Sequence, residues 1–133
     1  MDDCIFCKIV SGEIPCHKIY EDEFTLAFLD ISGDIYGHTL VVPKHHADNL
    51  LGANDEMLDH ILKTVRKISK HYVEDCGFTG VNVMNNTNQS AGQTIMHLHF
   101  HIIPRKENDN VRVYPDKVEH DFDFAEICNF LKI

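Results

Sequence analysis

Basic residues are scarce in this chain. Twelve Lys and Arg stand against 21 Asp and Glu in 133 residues, a formal net charge of −9 with the histidines neutral. Long nucleic acid is held by clustered Lys and Arg that displace its counterions, so such a polymer is a poor partner. A mononucleotide, which a few local groups can hold, is not excluded. No apolar run approaches 18 residues, so no membrane span and no membrane partner are expected. Met1-Asp2-Asp3 lacks the basic start and apolar core of a secretory signal, and the expectation is a cytoplasmic protein with reduced thiols. The five cysteines, an odd number, agree with that. Cys16, Cys76 and Cys128 stand alone and read as small buried hydrophobes. Tryptophan is absent. No repeat, low-complexity tract or linker interrupts the sequence, and its length suggests one domain over 1–133 with a core of its own.

The elements follow from patterning. Residues 4–11 suit a short helix around Cys4 and Cys7. Residues 18–21 and 24–30 read as two strands about an Asp22-Glu23 turn, and Gly33 and Gly37 frame a loop. Thr39-Leu40-Val41-Val42 is apolar and mostly β-branched, and Pro43 stops it. Asn54 or Asp55 caps a long helix whose apolar set, Met57, Leu58, Ile61, Leu62, Val65, Ile68 and Tyr72, keeps helical spacing until Gly77. Residues 80–86 alternate as a strand, and a polar loop runs from Asn86 to Gln93. A charged irregular segment begins at Lys106, and a short amphipathic helix is expected from Asp121. This order suggests an α+β fold on an antiparallel sheet.

The densest signal is His97-Leu98-His99-Phe100-His101, followed by Ile102-Ile103-Pro104. Apolar and polar residues alternate as in a half-buried strand. Leu98, Phe100 and Ile102 would face a core. His97, His99 and His101 would share the other face, about 6–7 Å apart at roughly 3.3 Å per residue. Imidazoles so placed suit a site that binds an anion and moves protons near neutral pH. One metal ion on all three, or chance, are the competing readings. The adjoining turn Gly92-Gln93-Thr94 can offer backbone N–H groups to phosphate oxygens, and the Gln93 amide another donor; an ordinary turn glycine is the plainer reading of Gly92.

His97-Leu-His-Phe-His-Ile-Ile resembles the signature of the histidine-triad (HIT) family. So do Tyr20–Glu23, Ala27–Ser32, Gly37–Lys44 and Ala91–Thr94, and together these blocks cover about residues 4–105. The resemblance implies a five-stranded antiparallel sheet with one long and one or two short helices. It also implies a homodimer that extends the sheet, and nucleotide binding with attack on an α-phosphate. His99 resembles the family's nucleophile, which forms a nucleotidyl-histidine intermediate. Neutral imidazole suits that task, being a good nucleophile and, once protonated, a good leaving group. His101 would contact the phosphate and departing group, and His38 matches the family's fourth histidine, although a turn histidine after Gly37 is also possible. Asp30 would accept from ribose hydroxyls, or simply cap the Ile31-Ser32 turn. Asn86 would lie beside the phosphate, and Phe6, Ile9, Phe28 and Ile31 would wall the base unless they belong to the core. The tail, 106–133, would shape the dimer and specificity.

Cys4 and Cys7 have the spacing of metal ligands, but one such pair is half a zinc site. The family's bacterial-type members complete it with a histidine after the Pro-Lys block and the first triad histidine, here His46 (or its neighbour His45) and His97. A closed Cys2His2 site would be structural and would leave His99 and His101 with the chemistry, with no cofactor needed for catalysis. The expected activity is hydrolysis or transfer at a purine nucleoside phosphoramidate or similar conjugate of the AMP or GMP type. Dinucleoside polyphosphate hydrolysis is a close variant. A reading of another class is a dimeric nucleotide-binding adaptor whose catalysis is incidental.

Overall fold

The computed structural model describes residues 3–133. Helix α1 spans Ile5–Val10, and strands β1, β2 and β3 span Lys18–Glu21, Thr25–Leu29 and Thr39–Pro43. The long helix α2 covers Asp55–Glu74, strands β4 and β5 cover Gly80–Met84 and Phe100–Arg105, and α3 covers Phe124–Leu131. Single 3-10 turns lie at Leu50–Gly52 and Gln89–Ala91. The five strands form one antiparallel sheet in the order β1-β2-β3-β5-β4.

Local chemistry sets these boundaries. The Asp22 carboxylate accepts the Phe24 and Thr25 N–H groups, both at 2.8 Å, and so closes the β1–β2 turn. Asn54 caps α2 by accepting the Met57 N–H at 2.8 Å, and Asp55 and Glu56 in the first turn suit the positive end of the helix dipole. Along α2, Ile61, Val65, Ile68 and Tyr72 turn inward onto Ala27, Val41, Leu98, Phe100 and Ile102, which line one sheet face. The other face carries Leu26, Phe28, Leu40 and Val42, covered by Phe6 of α1. Both faces of β2 and β3 are therefore buried.

Some expectations need correction. Residues 97–99 lie outside the ladder, and β5 begins at Phe100, paired with Val41. By register Val42 and Pro43 lie opposite His99 and Leu98, but Pro43 has no N–H and its carbonyl is taken by His97 Nε2 at 2.9 Å, and the Leu98 N–H donates instead to the carbonyl of Ala47 in the following loop, at 2.7 Å. The alternation is nevertheless kept, with Leu98, Phe100 and Ile102 in the core beneath α2. The second strand is a residue shorter at each end than its pattern suggested, and β4 stops at Met84. Cys76 and Cys128 are exposed, not buried, because they lie past the end of α2 and on α3. Helix α3 buries none of its side chains against the described residues.

Candidate active site and metal centre

Two constellations meet on the approach to β5, and the triad divides between them. His97 points one way. Its Nδ1 lies 3.3 Å from Cys4 Sγ, 3.5 Å from Cys7 Sγ and 3.2 Å from His46 Nδ1, while His46 Nδ1 is 3.4 Å from Cys7 Sγ. Helix α1 brings the cysteines, because the turn from Cys4 to Cys7 places both thiols over His97. The opposite imidazole nitrogens are already committed. His97 Nε2 lies 2.9 Å from the Pro43 carbonyl, and His46 Nε2 lies 2.7 Å from the Asp48 carboxylate. Each of those atoms carries the proton when its ring is neutral, which turns two Nδ1 lone pairs toward each other. Lone pairs at 3.2 Å need a cation between them. Tetrahedral zinc, with bonds of about 2.0–2.3 Å to N and S, sets neighbouring ligand atoms roughly 3.3–3.8 Å apart, close to the four separations of 3.2–3.5 Å found here. The four ligand atoms lie within 4.8 Å of one another and can hold a metal ion. His45, the alternative ligand, is exposed and outside the group. Burial, followed by the neighbouring Cys4, pushes the Cys7 thiol up to about 11, as expected of sulfurs gathered without a counter-charge.

His99 and His101 point the other way. The His99 Nδ1–H donates to the His97 carbonyl at 2.7 Å, which fixes the tautomer and leaves Nε2 with a lone pair. The ring is 7% exposed and packs against the edge of Phe6, with centroids 5.1 Å apart. Burial lowers its pKa and keeps it neutral. His101 Nδ1 shares a hydrogen bond of 2.8 Å with His38 Nε2, and His38 Nδ1 lies 3.7 Å from the Asp30 carboxylate. Asp30, His38 and His101 thus form a line, hydrogen-bonded between the two imidazoles and electrostatic between His38 and the carboxylate. His101 is pushed down to about 4, first by burial and then by the charges of His99 and His38. Its Nε2 is buried without a partner among the described residues. Burial alone would raise Asp30, but hydrogen bonds from Ser32 and the charges of His38 and His101 outweigh it and hold the carboxyl below its usual range.

The three histidines therefore do not share one metal: His97 belongs to the cysteines, His99 to a carbonyl and His101 to His38. Asn86 lies by the turn, its amide 3.5 Å from where a side chain on Gly92 would begin. The Gln93 amide is not free for a ligand. It is buried, and its Nε2 donates to the carbonyls of Asp48 and Ile95 at 2.7 and 3.0 Å. The Gly92 N–H is likewise spent on the Gln89 carbonyl at 3.0 Å. Thr94 is exposed and lines a surface groove with Cys4, His46 and Asp48. Phe6 and Phe28 are core residues, Ile9 packs against them half-buried, and Ile31 is 81% exposed. Asp48 escaped sequence reasoning, although its place two residues after a metal-ligand histidine was a signal. Asn85, whose amide donates to the His99 carbonyl at 3.0 Å, offered no signal beyond its place at a strand end.

The HIT domain model matches residues 11–108. A HIT-like protein of Methanocaldococcus jannaschii (MJ0866) is 45% identical over 129 residues, covering 97% of this chain and 98% of that protein. The adenosine 5'-monophosphoramidase hnt1 of Schizosaccharomyces pombe is 44% identical over 106 residues, covering 80% and 77%. Among solved structures, SMU.412c of Streptococcus mutans superposes with a TM-score of 0.86 at 41% identity, over 98% of this chain and 82% of that one. A zinc-bound histidine triad protein of Mycobacterium smegmatis superposes with a TM-score of 0.79 at 36% identity, over 86% and 84%. The fold and the divided triad define a histidine-triad protein, and the chain belongs to the HIT family.

Proposed function

We propose that this protein hydrolyses purine nucleoside phosphoramidates of the AMP or GMP type by way of a nucleotidyl-His99 intermediate. The observation that carries the reading is the commitment of His99 Nδ1 to the His97 carbonyl, which leaves Nε2 as the lone pair beside His101. Nε2 attacks the α-phosphorus, a P–N bond forms to His99, and the bond to the amine breaks. The amine leaves with a proton from His101, whose ring His38 steadies through their 2.8 Å hydrogen bond. Water then attacks the phosphorus, gives a proton to His101, and releases the nucleotide and a neutral His99. Asp30 contacts the ribose, Asn86 and Thr94 contact the phosphate, and the half-buried Ile9 and the exposed Ile31 wall the base. The phosphoramidase named among the relatives supports this chemistry.

Zinc on Cys4, Cys7, His46 and His97 completes the reading. When bound it neutralises the thiolates and anchors α1 to the triad, and it takes no part at the phosphate. The protein works as a cytoplasmic homodimer, with residues 106–133 contributing to the dimer and to specificity. The exposed apolar residues of α3, among them Phe124, Phe130 and Leu131, support this, because an eight-residue helix that buries none of its side chains is not stable alone in water.

Incubation with radiolabelled adenosine phosphoramidate and an alkaline quench tests the chemistry. The expected result is an alkali-stable, acid-labile label on wild type, absent from His99→Ala, with AMP released on turnover. AMP release that survives His99→Ala removes the nucleophile assignment. Nucleotide binding without label or AMP favours the adaptor reading.

A further inference from the structure

Asn88 has the least ordinary backbone near the site. Its φ of 71° and ψ of 162° lie in a region that residues other than glycine rarely enter. Such a conformation persists only where its surroundings over-determine it, and here four hydrogen bonds do so. The Asn88 N–H donates to Gln93 Oε1 at 2.8 Å. Its carbonyl accepts the Ala91 and Gln93 N–H groups, both at 3.1 Å. Its side-chain oxygen accepts from Asn49 Nδ2 at 3.1 Å.

Gln93 lies at the crossing point. At 3% exposure it uses both ends of its amide: the oxygen holds Asn88, and the nitrogen reaches 45 residues back to the Asp48 carbonyl. The Asp48 carboxylate in turn accepts from His46, a ligand of the metal group. His46 is therefore joined to the turn that precedes the triad through one residue, Asp48, whose carboxylate meets His46 and whose backbone carbonyl meets Gln93. A full set of buried amide partners tolerates little displacement, since an unpaired buried amide is costly.

We infer that Gln93 is a positioning residue that couples metal occupancy to nucleotide affinity by fixing the turn at Asn88–Gln93 to the loop at His46–Asn49. The inference rests on the nucleotide reading above. Metal that orders His46 orders Asp48, and Gln93 carries that order to the turn. By linkage the coupling is reciprocal, so nucleotide tightens metal binding by the same factor.

The test measures AMP affinity by calorimetry on the full chain, zinc-loaded and chelated, for wild type and Gln93→Leu. In wild type, zinc removal is expected to raise the AMP Kd about tenfold, within the usual range of such couplings. In Gln93→Leu, AMP binds weakly in both states and the ratio falls below about twofold. With phosphoramidate, Gln93→Leu raises KM far more than it lowers kcat, as loss of uniform binding does. A purely structural residue would lower stability and leave the zinc dependence of the Kd intact, and that result overturns the inference. The reciprocal measurement, zinc affinity of wild type with and without saturating AMP, decides the question even if Gln93→Leu does not fold. An unchanged zinc affinity refutes the coupling. If loaded wild type binds no AMP, the nucleotide reading falls and the coupling with it; if AMP binds with no zinc dependence, only the coupling falls.

Discussion

Gly37 precedes His38 and holds the turn that aims it at His101. Its φ of +76° is left-handed, and a Cβ there would lie 2.7 Å from Cγ of Pro104, a ring carbon that cannot swing away. Both effects penalise any side chain. A non-glycine residue in the left-handed region costs about 1–2 kcal/mol, and relief of the overlap adds to that. Gly37→Ala is expected to destabilise the fold by about 2 kcal/mol or more in urea denaturation, and an unchanged midpoint would show that β3 and Pro104 give way freely. Sequence made the chemistry of single residues legible where it depends on residue type: Cys4, Cys7, His46 and His97 do gather into one ligand group. It misjudged Gln93, whose amide partners include an Asp48 carbonyl 45 positions away. For Ile31 sequence left a core place and a place against the base open, and its 81% exposure removes only the first.

Elements were legible wherever one period dominated. The 3.6-residue spacing of the buried set on α2 and the cap at Asn54 are local signals, whereas the last helix, expected from Asp121, begins at Phe124 after an Asp123 cap. The start of β5 was not, because alternation continues through His97–His101 while the ladder begins only at Phe100. Strand pairing needs free backbone groups opposite, and Pro43, which faces Leu98, has no N–H and gives its carbonyl to the His97 ring at 2.9 Å. The same helix-scale reasoning isolates α3. Its amphipathic pattern was readable, yet among the described residues none buries an α3 side chain, and Phe130 is 87% exposed. Ending the chain after Asp121 should therefore leave the urea midpoint at low protein concentration within about 0.5 kcal/mol, as for surface changes. On the dimer reading, size-exclusion chromatography with light scattering should show the shortened chain shifting toward monomer. An unchanged mass would take the tail out of the dimer contact.

At the scale of the whole molecule, the cost of burying the triad should appear as a pH dependence of folding. His101 is held near 4 by burial and by the charges of His99 and His38, and burial lowers His97 and His99 as well. In the unfolded chain each imidazole titrates near 6.5. Between those values the unfolded chain binds protons that the native state refuses, so stability rises with pH across the interval. The contribution is fully present above about pH 6.5 and drains away as pH falls toward 4. Asp30, also lowered, acts in the same direction but only near and below the ordinary carboxylate range. Metal-free protein is the right sample, since acid also strips a metal from thiolate and imidazole ligands. Urea midpoints from pH 7.5 down to 4.5 should fall steadily, with most of the loss below pH 6.5. His101→Asn should start lower at pH 7.5, having lost its hydrogen bond to His38, and should then fall less steeply, because one of the depressed imidazoles is gone. Equal slopes in the two proteins would mean that His101 is accessible enough to titrate as it does in the unfolded chain. The line from Asp30 through His38 to His101 would then end in solvent, and His101 could not deliver its proton to a leaving group shielded from water.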